Sequence, residues 1–223
     1  MDNHQTGRES NNSRFRSNIP FEITKGHRCG STCIRIAHEH FGLPAPSLQS
    51  LDDHFQRHGR NWIHLVQIAA YFSQQGFPTA YWLNPTLAKE FLHDEQAVYK
   101  RLRPESVRRA TRYSNSDLVR KALHETLQKE YLDQPPEDAE IREHLHKGIV
   151  MCALDNAVLK GEEQLKGHHA ILTGLTDEHA YYHNVGPDNA QPDKPLPREL
   201  FFRAIRATNF VDYSFLAIRK PDK

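Results

Sequence analysis

Apolar positions recur along this chain in two different periods. From Cys29 the residues Cys33, Ile36, Ala37 and Phe41 follow at the spacing of one helical face, with His40 beside them, and Gly42-Leu43-Pro44 supplies a stop. A second helix carries Leu48, Leu51 and Phe55, with Ser47 or Ser50 as its cap and Gly59 beyond its end. A third carries Trp62, Leu65, Val66, Ala69 and Phe72 between a capping Asn61 and Gly76. Residues 79–83, bounded by Pro78 and Asn84-Pro85, read as a short aromatic strand. After Gly148 the period changes. Continuous apolar runs at 149–154 and 170–175 suit central strands, and 180–185 follows a turn at Asp177-Glu178 and ends at Gly186-Pro187. Pro197 opens a helix through Leu200, Phe201, Ala204 and Ile205, and 213–218 is a closing strand. A helical N-terminal half followed by an antiparallel sheet predicts an α+β domain.

Between these regimes, 86–147 is helical but strongly charged, with Lys100, Arg101, Arg103, Arg108, Arg109 and Arg112 interrupted by Pro104 and by Pro135-Pro136. Such a run reads as a solvated helical face, an insertion packed loosely over a site as a lid. Residues 1–18 are polar and rich in Asn, Ser and Arg, which predicts a flexible tail ahead of a single domain over 19–223. Lys and Arg number 29 against 28 Asp and Glu, so the summed field favours neither nucleic acid nor an anionic membrane as a partner. No apolar stretch approaches the ~20 residues that a bilayer span requires, so no membrane role is expected. Three cysteines argue against a disulfide framework and for a reducing compartment. The cytoplasm is the expected location, with delivery by a signal-less secretion route left open. His27, Cys29, Cys33, His38 and His40 lie close in sequence, but no paired C-x-x-C or H-E-x-x-H spacing occurs. Neither a metal nor a cofactor is expected.

Thiol chemistry is the remaining candidate. A cysteine is nucleophilic as a thiolate, and the unpaired N–H groups and dipole of a helix N-terminus favour that anion. Cys29 opens the first helix, Gly30 leaves its sulfur uncrowded, and its own N–H is a candidate oxyanion donor. Cys33 and Cys152 read as core packing. The start of a core strand is a rigid mount for a base, and His168 and His169 stand there; alternation allows only one of them to face Cys29. Asn184, at the end of the paired strand, has the chemistry to orient an imidazole.

Cys29-Gly30 opening a helix, Gly167-His168 leading into Ala170-Ile171-Leu172-Thr173-Gly174, and Tyr181-Tyr182-His183-Asn184 before Gly186-Pro187 together resemble the bacteriocin-processing (double-glycine leader) peptidases, a papain-like group. The resemblance implies a papain-like cysteine peptidase fold with the nucleophile in the helical half and the base on the sheet. It also implies a Cys-His-Asn triad and an acyl-enzyme. The family base lies six residues before the glycine that ends its strand, which selects His168 relative to Gly174. The family's oxyanion glutamine has no counterpart, since Ile23 stands there with Thr24, Lys25 and His27 nearby. Its usual aspartate is replaced by Asn184, with Asp188 as the alternative. The expected activity is hydrolysis of a peptide or isopeptide bond in a peptide or protein substrate. The rivals are acyl transfer to an amine on the same fold and an inactive peptide-binding domain.

Overall fold

The structure, a computed structural model, describes residues 18–59, 61–101, 108, 112–129, 131–162, 166–187, 189–208 and 211–221. Its elements follow the order α1 (Cys29–His40), α2 (Leu48–His54), α3 (Leu65–Gln74), β1 (Thr79–Leu83), α4 (Pro85–His93), α5 (Glu95–Tyr99), α6 (Ser116–Leu127) and α7 (Asp138–Lys147). Then come β2 (Gly148–Asp155), α8 (Asn156–Lys160), β3 (Gly167–Leu175), β4 (His179–Asn184), β5 (Gln191–Pro197), α9 (Arg198–Arg206) and β6 (Asp212–Arg219). The domain mixes helices with one antiparallel six-stranded sheet in the order β1-β6-β2-β3-β4-β5. Except for Asn18, the expected tail lies outside the described residues, as do Arg103, Pro104, Arg109 and Asp188.

Local chemistry sets the helix starts. Ser47 Oγ accepts from Ser50 N at 3.0 Å, so Ser47 is the cap of α2. Asn84 and Asn115 cap α4 and α6 in the same way. Asn61 does not cap α3. That helix begins after His64, and Trp62 instead donates its backbone N–H to Tyr113 O at 2.6 Å.

Strand alternation divides the sheet between two cores. Ile149, Met151, Ile171, Leu216 and Ile218 pack with α1, α3 and α6 on one face. Val150, Cys152, Ala170, Leu172 and Ala217 pack with α7 and α9 on the other. The charged segment is therefore not a loosely packed lid in its described parts. Val119, Ala122, Leu123 and Thr126 of α6 are buried, and α7 contributes Ile141 and Leu145 to the second core. Apolar stripes at helical spacing bury these helices despite their charge, because one face suffices for docking.

Gly148, where α7 passes directly into β2, is fixed by a close approach of backbone. A Cβ there would lie 2.1 Å from Ile218 O, on the strand paired with β2. Gly148→Ala must push β2 from β6, and we expect it to cost about 2 to 3 kcal/mol. Thermal unfolding should show Tm lowered by about 5 °C or more; an unchanged Tm would refute the close approach.

Candidate active site

Helix α1 places Cys29 at its first position, after Arg28, and packs against β3. Cys29 is half-buried, whereas Cys33 and Cys152 are fully buried in the two cores. The imidazole brought to the thiol is that of His169. Its Nδ1 stands 3.7 Å from Cys29 Sγ, and its backbone N–H donates to the same sulfur at 3.5 Å. This corrects the choice of His168 as the residue in contact with Cys29. In the β2–β3 ladder His169 pairs with Ala153, on the parity of Ile171, which faces α1. His168 pairs with Leu154 and shares its parity with Ala170 and Leu172 of the opposite core. Counting back from Gly174 crosses a register shift between Leu172 and Gly174, which displaces the alternation by one residue.

His168 meets Asn184 instead. Both converge on Gly186, where an added Cβ would sit 3.3 Å from His168 Cε1 and 3.4 Å from Asn184 Oδ1. Asn184 Nδ2 donates to Asn189 O at 2.7 Å, which turns the amide oxygen toward the imidazole. Of the three residues expected to form one triad, two adjacent couples result: Cys29 with His169, and His168 with Asn184. Asp188 lies outside the described residues.

Arg57, which no sequence signal singled out, is buried beside Cys29. Its guanidinium donates to His27 O, to Asn61 O at 2.9 Å and to Asp52 Oδ1 at 3.2 Å. Asp52 Oδ2 in turn accepts from Arg28 Nε and Nη2 at 3.0 and 2.8 Å. These bonds hold the turn through His27 and Arg28 from which α1 departs. His64 Nε2 and Ser114 Oγ lie 2.7 Å apart, and Trp62 and Tyr113 have ring centroids 5.8 Å apart, so the residues before α6 form a wall of the site.

Burial pushes the Cys29 thiol above its ordinary value of 9.0, against the lowering influence of the His169 and Gly30 backbone groups and of the Arg57 charge. The imidazoles move the other way. Burial lowers His169 to about 3, helped by His168 and His64, and lowers His168 to about 4 against the favourable contact with Asn184. At neutral pH the resting site therefore holds a neutral thiol beside neutral imidazoles. Among the described residues no group of three His, Cys, Asp or Glu side chains is arranged to hold a metal ion. No helix among them is long and apolar enough to cross a membrane.

Compared with protein-family models, with curated proteins and with solved structures, the chain finds no match.

The protonation states fix an expected pH profile. Iodoacetamide consumes thiolate, so the rate at Cys29 should rise about tenfold per pH unit through neutrality and continue rising beyond pH 9. Mass spectrometry of the alkylated chain measures that rate residue by residue. A plateau between pH 5 and 8 would instead indicate a resting thiolate–imidazolium pair. Stability should follow the histidines in the opposite sense. Their folded pKa values are depressed below the unfolded 6.5, so the unfolded chain binds more protons as pH falls from about 6.5 toward 3. Tm should be full above pH 7 and fall progressively below 6.5; a Tm independent of pH between 7 and 4.5 would contradict neutral burial of these rings.

Proposed function

We propose that the chain is a papain-like cysteine peptidase that hydrolyses a peptide or isopeptide bond through an acyl-enzyme. The observation carrying this reading is the 3.7 Å approach of an imidazole nitrogen to a cysteine sulfur at the first turn of a buried helix. One residue supplies both a polar ring and a backbone N–H to the thiol. His169 Nδ1 accepts the thiol proton as Sγ bonds to the scissile carbonyl carbon. The tetrahedral oxyanion forms at the N-terminus of α1, where the Cys29 N–H faces it. The C–N bond then breaks, and the amine leaves with the proton from the imidazolium. Water, deprotonated by the same ring, cleaves the thioester and restores the thiol.

A second assignment of the base is favoured by one observation, the amide of Asn184 beside His168. An imidazole that becomes charged is stabilised by an acceptor behind it, and His168 has that acceptor. In this reading His168, backed by Asn184, serves as the base for Cys29. Both assignments require Cys29.

The test is incubation of the purified protein with a pool of peptides, with mass spectrometry of newly created termini. Cys29→Ala should remove those termini, a loss on the order of a thousandfold or more, without lowering Tm. Undiminished cleavage by Cys29→Ala would end the proposal. His169→Ala should lose activity to a similar degree, with the Cys29→Ala/His169→Ala double variant little worse than either single one. Loss in His168→Ala and Asn184→Ala with His169→Ala still active would move the base to the second couple.

A further inference from the structure

We infer that the groove beside Cys29 binds an acidic peptide segment, so that the substrate carries Asp or Glu residues next to the scissile bond. This inference rests on the proposed peptidase reading and narrows its substrate class. The groove has a volume of about 580 Å³ and runs from the thiol past His168 and Asn184. Three lysines from separate elements converge on it: Lys160 at the end of α8, Lys166 just before β3, and Lys194 on β5. His27 adds a further ring that is cationic when protonated. No Asp or Glu stands among its described lining residues.

Glu162 pairs with Lys166 and feels Lys160 as well, so part of this charge is answered within the chain, while Lys194 has no ion pair with another described residue. The field reaches the site itself, since Lys194 is one of the groups holding His168 uncharged. The groove also contains a buried polar atom that lacks a protein partner, Thr24 Oγ1, on a residue only 3 % exposed. Buried polar groups are nearly always satisfied in folded proteins, so an unpartnered hydroxyl in this groove points to a ligand that completes it. Trp62, Tyr113 and Leu159 line the same space and supply apolar surface for the aliphatic parts of side chains.

A peptide fits these features better than nucleic acid does. Three lysines beside a balanced total of 29 basic and 28 acidic residues supply little of the phosphate-neutralising charge that nucleic-acid binding uses. The thiol at the end of the groove acts on carbonyl carbon. The polarity of the site then sets a direction, with carboxylates on the His168 side of Cys29 and the smaller, mainly apolar cavity bounded by Trp62, Ile63 and Ala153 on the His169 side.

The experiment uses the full chain as Cys29→Ala, so binding is read without turnover. Short fluorescein-labelled peptides rich in Glu, in Gln or in Lys are titrated by anisotropy, beside a labelled single-stranded oligonucleotide. The Glu peptide should bind about tenfold more tightly than its Gln counterpart, and the preference should shrink between about 50 and 300 mM salt. Lys160→Glu with Lys194→Glu should abolish the preference; Lys160→Gln with Lys194→Gln, a milder change, should reduce it if the charge-reversed protein fails to fold. Equal affinities for the three peptides, or an unaltered preference in the folded lysine variants, would overturn the inference, as would tighter binding of the oligonucleotide. Because catalysis takes no part, acidic-peptide binding by a chain that cleaves nothing would refute the peptidase reading alone. Cleavage of neutral peptides without acidic preference would refute this inference alone.

Discussion

A guanidinium removed from water must find carboxylate and carbonyl partners in fixed directions or destabilise the fold by several kcal/mol. Arg57, with only 4 % of its side chain exposed, meets that demand by binding three stretches of chain at once: the turn before α1, the loop before α3 and Asp52 of α2. The angle at which α1 leaves its turn follows from this one fork of donors. That angle decides where the Cys29 sulfur points, and so whether β3 meets it with an imidazole or with an apolar side chain. Arg57 also sets a positive charge near a thiol that burial alone would push further from ionisation. Position and electrostatics at Cys29 thus have a common origin in a residue more than twenty positions away.

The site that results is poised in an uncharged state. Desolvation opposes a cysteine anion and a histidine cation separately, whereas their simultaneous formation at 3.7 Å is opposed less, because each ion then stabilises the other. In the proposed mechanism, proton transfer therefore belongs to the moment of attack, and a substrate filling the groove would remove further water and strengthen the dipoles directed at its carbonyl. The backbone N–H of His169 on the sulfur contributes without changing its own protonation, so the strand itself acts as part of the site.

Much of the fold was legible because its elements carry distinct periods. The strand read at 79–83 is β1, the helix opened by Cys29 is α1, and the closing strand is β6, each within a residue or two of its predicted bounds. Strand β5 escaped notice because Pro192 and Pro195 read as breakers. It lies at the sheet edge, where a missing donor can face outward at little cost. The charge of 86–147 concealed two docking stripes, Val119-Ala122-Leu123-Thr126 and Ile141-Leu145, since only one side of a helix needs to be apolar. At the site, Cys29 and the pair of adjacent histidines could be read, but the ring that meets the thiol could not. Strand β3 is buried on both faces, so its run of Ala170, Ile171 and Leu172 shows no alternation that marks the α1 side, and the register shift near Thr173 defeats counting from its far end. Arg57 and the three groove lysines left no motif, because their partners are distant in sequence and only the folded chain assembles them.

The strand order has a consequence in time. Strand β6, formed from residues 212–219, lies between β1 and β2, so the N-terminal strand joins the sheet only through the one synthesised after all the others. Before then β1 has only the isolated bridge to Leu132 beside it among the described residues, and α3 and α6 lack part of the surface they cover. Contacts of such long sequence separation close slowly and late. A growing chain therefore carries Cys29 long before the sheet that holds the opposing imidazole is complete, and the contact between Cys29 and His169 waits on residues 212–219.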